Sequence, residues 1–254
     1  MLSLLRAMFT LEQRDAAVDH VLELAASDDR VVAGAVVGSL ARGGDRWSDI
    51  DLTFGVADAH PIGGVLEDWT KQLVESLDAV VLFDLPSGET IYRVFLLPGC
   101  LQMDLSFTPA SRFGAGGPRF RLLFGEARPR AYTAPPDAQE LFGWAVAYAR
   151  EARACIERRR WWQAEYSISA IRDNALALAC RRRGLPARFG RGYDDLPSDV
   201  LRPFERTLTI ALSRESLLEA LRLVINGLLQ ESAEVQALAA TVGPRLQELI
   251  AEED

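Results

Sequence analysis

The pattern of apolar residues changes near residue 134, and this change limits the chain to folds with two dissimilar halves. Before residue 134, helical periodicity alternates with short β-branched runs, and helices are predicted at 11–26 and 61–77. The predicted strands, separated by turns with proline and glycine, are 31–37, 49–56, 79–85, 90–97 and 100–107. The sequence therefore predicts an α/β domain over residues 1–134.

The signals from residue 135 to residue 254 are helical. The predicted helices are 137–159, 161–183, 200–212, 214–229 and 233–253, the last with an interruption at Gly243-Pro244. Gly184 and Pro186 follow the second of these helices and are ordinary stop signals. We therefore predict that residues 135–254 form an all-α bundle.

The composition is that of a soluble globular protein, with 49% hydrophobic and 25% charged residues. No apolar run reaches the roughly 18 to 20 residues that span a bilayer, and the first fifteen residues lack the pattern of a signal peptide. We expect a cytoplasmic protein without a membrane partner. The three cysteines are far apart, which favours neither a disulfide framework nor a zinc site.

The charge pattern restricts the partners. The net charge is −8, and the acidic excess lies mainly in the first half of the chain. This disfavours a long nucleic acid as partner and is compatible with a small cationic substrate. Lys71 is the one lysine, and it lies within a predicted helix, which disfavours a phosphate-binding loop that needs a lysine.

Two acidic residues occupy alternate positions where a strand is predicted. Residues i and i+2 of a strand project from one face, so Asp49 and Asp51 direct their carboxylates to the same side while Ile50 and Leu52 face the core. Two such carboxylates repel each other unless a divalent cation such as Mg²⁺ lies between them. Gly38 and Ser39, after the preceding strand, offer backbone N–H groups and a hydroxyl to a phosphate.

A third carboxylate is available for metal-assisted phosphoryl transfer, and two residues are candidates for it. Asp104 shares one face of its predicted strand with Gln102 and Ser106, while apolar residues occupy the other face. Asp84 competes for the same role, but the nearby Pro86 favours a turn-capping function. We prefer Asp104. Arg42 is predicted either to contact phosphate or to pair with Asp45.

Three segments together resemble the nucleotidyltransferase superfamily related to DNA polymerase beta. They are Gly38-Ser39-Leu40-Ala41-Arg42-Gly43, Trp47-Ser48-Asp49-Ile50-Asp51-Leu52 and Gln102-Met103-Asp104-Leu105. In layout the chain is most similar to the small bacterial enzymes that modify aminoglycosides and lincosamides.

This resemblance implies an α+β fold: a mixed sheet with helices on one side, followed by a helical domain that closes the cleft. It also implies that a Mg²⁺–nucleoside triphosphate binds at Gly38 and Ser39, that Asp49 and Asp51 hold the metal ion, and that Asp104 is the third acid.

The second predicted helix of the C-terminal half carries a polar and aromatic face. Its members are Trp162, Glu165, Tyr166, Ser169, Arg172 and Asp173. The face is either solvated and salt-bridged or a binding surface on which Trp162 or Tyr166 stacks and Glu165 and Asp173 meet a cationic acceptor. Further along, Arg191 lies between two glycines in a loop that resembles those placing a basic residue near the phosphates.

The predicted function is the transfer of a nucleoside monophosphate, AMP from ATP, to a hydroxyl group of a small acceptor. Pyrophosphate leaves, Mg²⁺ is the cofactor, and an aminoglycoside-like antibiotic fits the acidity. Two alternatives stay open: an antitoxin-like enzyme that adenylylates a protein, and a nucleotide-binding regulator without catalysis. The large helical half argues against the first, and the acids at 49, 51 and 104 argue against the second.

Overall fold

The computed structural model describes residues 8–132 and 134–251. The chain divides into two compact units, residues 1–133 and 134–254, and the fold is α+β as predicted. Seven of the first fifteen residues, which lack the pattern of a signal peptide, lie outside the described ranges, as does Glu253 at the end of the last predicted helix. No helix within those ranges combines the length and the apolar character needed to cross a membrane.

A six-stranded mixed sheet forms the centre of the first unit. In chain order its strands are β1 (Val31–Val37), β2 (Ile50–Val56), β3 (Val80–Ser87), β4 (Thr90–Leu97), β5 (Leu101–Pro109) and β6 (Phe120–Phe124). Their order across the sheet is β3-β4-β5-β2-β1-β6. β2 and β5 run parallel, and the other neighbouring pairs run antiparallel. The sequence predicted the first five strands and missed β6.

Two helices, α1 (Leu11–Ser27) and α2 (Ile62–Leu77), pack on one face of this sheet. Thr10 and Gln13 form a capping box that fixes the start of α1. The centre of the core is Trp69 of α2, whose ring centroid lies 5.0 Å from those of Phe54 and Phe107 on β2 and β5. The opposite face of the sheet, called the site face below, carries the alternate residues of the same strands.

The second unit is helical. Its helices are α3 (Ala138–Glu157), α4 (Trp161–Arg182), α5 (Ser198–Glu205), α6 (Arg214–Gln230) and α7 (Gln236–Ile250). Buried alanines at helical spacing in α3 pack against Ala164, Ile168 and Ile171 of α4 in one core. Small side chains at such a contact let helices approach closely.

Two details of the helical prediction are wrong. The helix expected at 200–212 ends at Glu205, because Thr207 caps it: the Thr207 hydroxyl donates to Phe204 O at 2.6 Å, and Arg172 donates to the Thr207 carbonyl. The expected break at Gly243-Pro244 is absent from α7. Buried Ala239 and Leu246 lie on either side of the proline, so packing holds both halves in one helix despite the lost N–H.

A hydrogen-bonded carboxylate ties α1, β1 and α2 together. Asp28 accepts from Arg30 Nε at 2.8 Å and from Trp69 Nε1 at 2.8 Å, and its side chain is only 12% exposed. The hydrogen bonds from Arg30 lower the pKa of Asp28 to about 2. Folding therefore stabilises the ionised form of the Asp28 carboxyl relative to its protonated form.

Replacing Asp28 with Asn should lower the free energy of unfolding at pH 7 by about 1 to 3 kcal/mol, the range for a hydrogen bond to a charged group. Because folding lowers the pKa of Asp28, the difference in free energy of unfolding between wild type and variant is full above the unfolded-state pKa of about 4. The difference disappears as the pH falls towards 2. Urea unfolding of both proteins at several pH values measures this difference in free energy. Asp29→Asn at the exposed neighbouring position is the control, and an equal loss in both variants would contradict the assignment.

Candidate metal and phosphate site

Three carboxylates meet at the start of β2 and β5. Asp51 of β2 and Asp104 of β5 are direct partners in the parallel register, and Asp49 lies immediately before β2. One carboxylate oxygen from each residue lies within 4.8 Å of the others. The two strands that the sequence treated as separate candidates are thus neighbours, and the site face collects all three acids.

Asp84, the competing third acid, lies on the other face of the sheet. In the strand register Asp84 is opposite Arg93, and Arg93 is opposite Leu105 in the helix-covered core. Arg93 donates to both Asp84 oxygens at 2.7 Å and lowers the pKa of that carboxyl. Asp84 is therefore a strand residue in an ion pair, not a turn cap, and it does not join the acid cluster.

The turn after β1 fits closely against the acids. Gly38 has a φ of +66°, and a Cβ on it would overlap Oδ2 of Asp51. Only glycine combines this backbone conformation with this approach. Beside it, Ser39 Oγ is buried, and it has no hydrogen-bond partner among the described residues. A buried hydroxyl without a partner at this point is a group ready to bind a ligand oxygen.

A polar turn positions Asp49. Ser48 accepts from the Asp45 N–H at 2.9 Å, and the Asp45 carboxylate accepts from the Trp47 N–H at 2.8 Å. Arg14 of α1, only 5% exposed, donates to the Asp45 carbonyl and anchors the turn to the helix. Sequence reasoning missed Arg14, although a basic residue among the apolar positions of α1 was a visible signal.

The surroundings of Asp104 raise its pKa. Partial burial raises the pKa of Asp104, and the neighbouring charge of Asp49 adds to that effect, while a hydrogen bond from Gln102 opposes it. Gln102 Nε2 lies 2.9 and 3.2 Å from the two Asp104 oxygens and so holds this carboxylate in place. The sequence placed Gln102 on the correct face without assigning it this role.

The donor set suits a hard divalent cation. Three carboxylates supply oxygen ligands, with no sulfur or imidazole in the cluster, and Mg²⁺, Mn²⁺ and Ca²⁺ prefer such ligands. A cation between the acids would also relieve the repulsion that the close spacing creates. The residues present therefore fit a hard divalent cation.

Two arginines, Arg42 and Arg191, were also predicted to contact phosphate. Arg42 ends a short 3-10 helix (Leu40–Arg42) and is exposed; among the residues placed in the structure it makes no ion pair with Asp45, which Ser48 and Trp47 hold instead. Arg191 belongs to the second unit, where its guanidinium lies 5.6 Å from the centroid of the Phe189 ring.

The predicted face of α4 is an aromatic surface with carboxylates. Trp162 and Tyr166 are 79% and 63% exposed, which is high for such large rings. Tyr166 is in edge contact with Tyr148 of α3, whose ring lies 5.9 Å from that of Trp144. Glu165 accepts a hydrogen bond from Ser169 at 2.7 Å, and Asp173 is exposed further along the helix.

No protein-family model and no curated protein matches this sequence. A similar solved structure is that of an aminoglycoside 6-adenyltransferase from Bacillus subtilis, at 13% sequence identity and a TM-score of 0.36. The match covers 92% of this chain and 97% of that chain. A likeness this low establishes neither fold nor function, and what the site can do follows from its own residues.

Gly38→Ala should weaken the binding of a divalent cation by about tenfold or more, because the new methyl group displaces Asp51. Gly184→Ala is the matched control: its φ is +69° and nothing lies within 4 Å of the added carbon. Both variants should lose about 1 to 2 kcal/mol of stability from the left-handed backbone. Calorimetric titration with Mn²⁺ measures the binding, and equal affinities in the two variants would contradict the close fit.

Proposed function

We propose that the chain is a metal-dependent nucleotidyltransferase that transfers a nucleoside monophosphate, AMP from ATP, to a hydroxyl group of a small acceptor. The observation that carries this proposal is the placement of the unpartnered Ser39 hydroxyl and the Gly38 turn against the acid cluster of Asp49, Asp51 and Asp104. Transfer from a nucleoside triphosphate requires a phosphate site and a metal site in contact with each other.

Each residue has a role in this reaction. The Ser39 hydroxyl and the adjacent N–H groups donate to phosphate oxygens, and the absent side chain of Gly38 leaves room for Asp51. A divalent cation, for which we propose Mg²⁺, supplies positive charge to the crowded phosphates when bound to the three acids. Arg42, exposed at the end of the same turn, is proposed to contact the phosphates as well, and Arg191 is the second candidate for such a contact.

Asp104 is proposed to act as the base. Its raised pKa reflects an environment in which the carboxylate gains from accepting a proton. The acceptor oxygen forms a bond to the α-phosphorus while the bond from that phosphorus to the bridging oxygen of pyrophosphate breaks. The hydroxyl proton passes to Asp104, and pyrophosphate leaves with the negative charge.

The acceptor is proposed to bind at the exposed face of α4. Trp162 and Tyr166 offer ring faces to a sugar or a cation, and Glu165 and Asp173 offer negative charge. An aminoglycoside-like compound combines hydroxyl groups with several ammonium groups and therefore fits both features. An antibiotic-modifying activity is the form of this function that we propose to test first.

Turnover should depend on Asp51 and not on Asp84. Pyrophosphate release is measured with four nucleoside triphosphates, Mg²⁺ and a panel of aminoglycosides, lincosamides and other hydroxylated amines, followed by mass measurement of the adduct. Asp51→Asn should lower turnover more than about 100-fold because a metal ligand is lost. Asp84→Asn, which removes an acid from the opposite face of the sheet, should leave turnover unchanged. Full activity of Asp51→Asn would disprove the site, and nucleotide binding without any turnover would favour a regulator.

A separate measurement tests the acceptor face. Replacing both Glu165 and Asp173 with their amides should raise the acceptor KM by about threefold to tenfold and leave nucleotide affinity unchanged, since exposed charge pairs contribute up to about 1 kcal/mol each. The loss should shrink at high salt. The control is the double variant Glu205→Gln and Glu248→Gln, which removes two exposed acids from the same unit. A normal acceptor KM, or weakened nucleotide binding, would contradict acceptor binding at this face and would indicate a solvated helix surface.

A further inference from the structure

A second polar cavity lies on the first unit, at the end of β5 opposite to the acid cluster. Its volume is about 310 Å³. Its lining comes from the β3–β4 turn, the end of β5 and the segment after β6, and the residues that matter below are Glu89, Thr90, Thr108, Arg112, Arg128 and Arg130. Asp104 and Thr108 are four residues apart on β5, which separates the cavity from the acids by about 13 Å.

Positive charge predominates in this cavity. Arg112 pairs with Glu89 at 3.2 Å, but both side chains are more than 60% exposed, so this pair contributes little and a stronger anion can replace it. Arg128 and Arg130 have no side-chain hydrogen bond or ion pair to any residue in the described ranges. The lining thus contains three arginines and one glutamate.

Hydroxyl groups complete the lining. Thr90 and Thr108 are buried and their Oγ1 atoms lie 2.8 Å apart, so their hydrogen bond uses one of the two hydroxyl hydrogens and leaves the other to donate. Ser111 contributes less, because both its N–H and its hydroxyl donate to Asp58. Even with Asp58 counted, arginines outnumber acids around the cavity.

The arginine-bearing segment is held in place by its backbone. The Arg128 N–H donates to the Phe113 carbonyl at 2.7 Å. A Cβ on Gly114 would overlap the Arg128 carbonyl oxygen, so the two segments touch through their main chains. A backbone fixed in this way lowers the entropy cost of binding, since only the arginine side chains must become ordered.

We propose that this cavity binds a phosphate-type oxyanion, either inorganic phosphate or a phosphomonoester, at a site distinct from the proposed triphosphate site. The planar guanidinium groups of Arg128 and Arg130 match the geometry of such oxygens, and Arg112 joins them when it leaves Glu89. The proposal does not depend on the transferase activity, because no residue of the cavity belongs to the acid cluster or the Gly38 turn.

Calorimetric titration of the full chain with inorganic phosphate tests this site. The buffer contains EDTA, and chloride keeps the ionic strength constant, so that metal-linked and nonspecific binding are suppressed. The wild type should show saturable binding, and the double variant Arg128→Gln and Arg130→Gln should bind at least about tenfold more weakly. Its unfolding midpoint without phosphate should match that of the wild type, since both side chains are exposed.

Two further variants separate charge from position. The double variant Arg119→Gln and Arg121→Gln removes the same charge elsewhere in the unit and should bind phosphate within about twofold of the wild type. Glu89→Gln, which frees Arg112, should bind about twofold to fivefold more tightly. Phenyl phosphate, titrated in parallel, identifies a phosphomonoester as the preferred form if it binds more tightly than phosphate.

The proposal fails if the wild type shows no saturable binding, or if the two double arginine variants lose affinity equally. It also fails if Ser39→Ala abolishes phosphate binding while the Arg128 and Arg130 variant retains it, because the anion then binds at the Gly38 turn. That last result would leave the proposed transferase site intact, so the two proposals are tested separately.

Discussion

The parallel pairing of β2 with β5 is the constraint on which the site depends. It is the one parallel contact among the described strands, and its register sets Asp51 directly beside Asp104. Antiparallel neighbours alone would not bring the beginnings of two strands to the same edge of the sheet. The acids stay close together because strongly packed residues on the same two strands, Phe54 and Phe107 against Trp69, hold the register from the opposite face.

Alternate residues of a strand point to opposite faces, so one sheet provides both the packed core and the site face. On β2, Ile50 and Leu52 are buried beneath the helices, and Asp51 between them projects to the site face. Near β1 the site face carries Ala33 and Ala35, whose small side chains are buried against Phe113. A slip of one residue in β2 would bury the acids and expose the core, so the hydrophobic pattern fixes the chemistry as well as the fold.

Much of this arrangement follows from the sequence, and the rest depends on long-range pairing. Strand periodicity was sufficient to place Asp49 and Asp51 together and to put Asp104 with Gln102, because those are local relations. The choice between Asp84 and Asp104 required the register of β3, β4 and β5, which local pattern does not contain. β6 escaped prediction because its five residues do not alternate between apolar and polar, and none of them is buried. The anchoring role of Arg14 depends on a contact across 31 residues of chain.

The same face of the sheet carries opposite charges at its two ends. The acids lie at the start of β5, and the cavity begins at Thr108, about 13 Å along the strand from Asp104, with its arginines beyond the end of β5. Groups at this separation form no ion pair, and salt screens the exposed arginines, because the Debye length at physiological ionic strength is about 8 Å. The three acids and the three arginines therefore do not neutralise each other. The acid cluster still favours a cation, and the cavity still has an excess of positive charge. An acidic unit can therefore carry both the proposed cation site and the proposed anion site on one surface, each with an affinity set by its own residues.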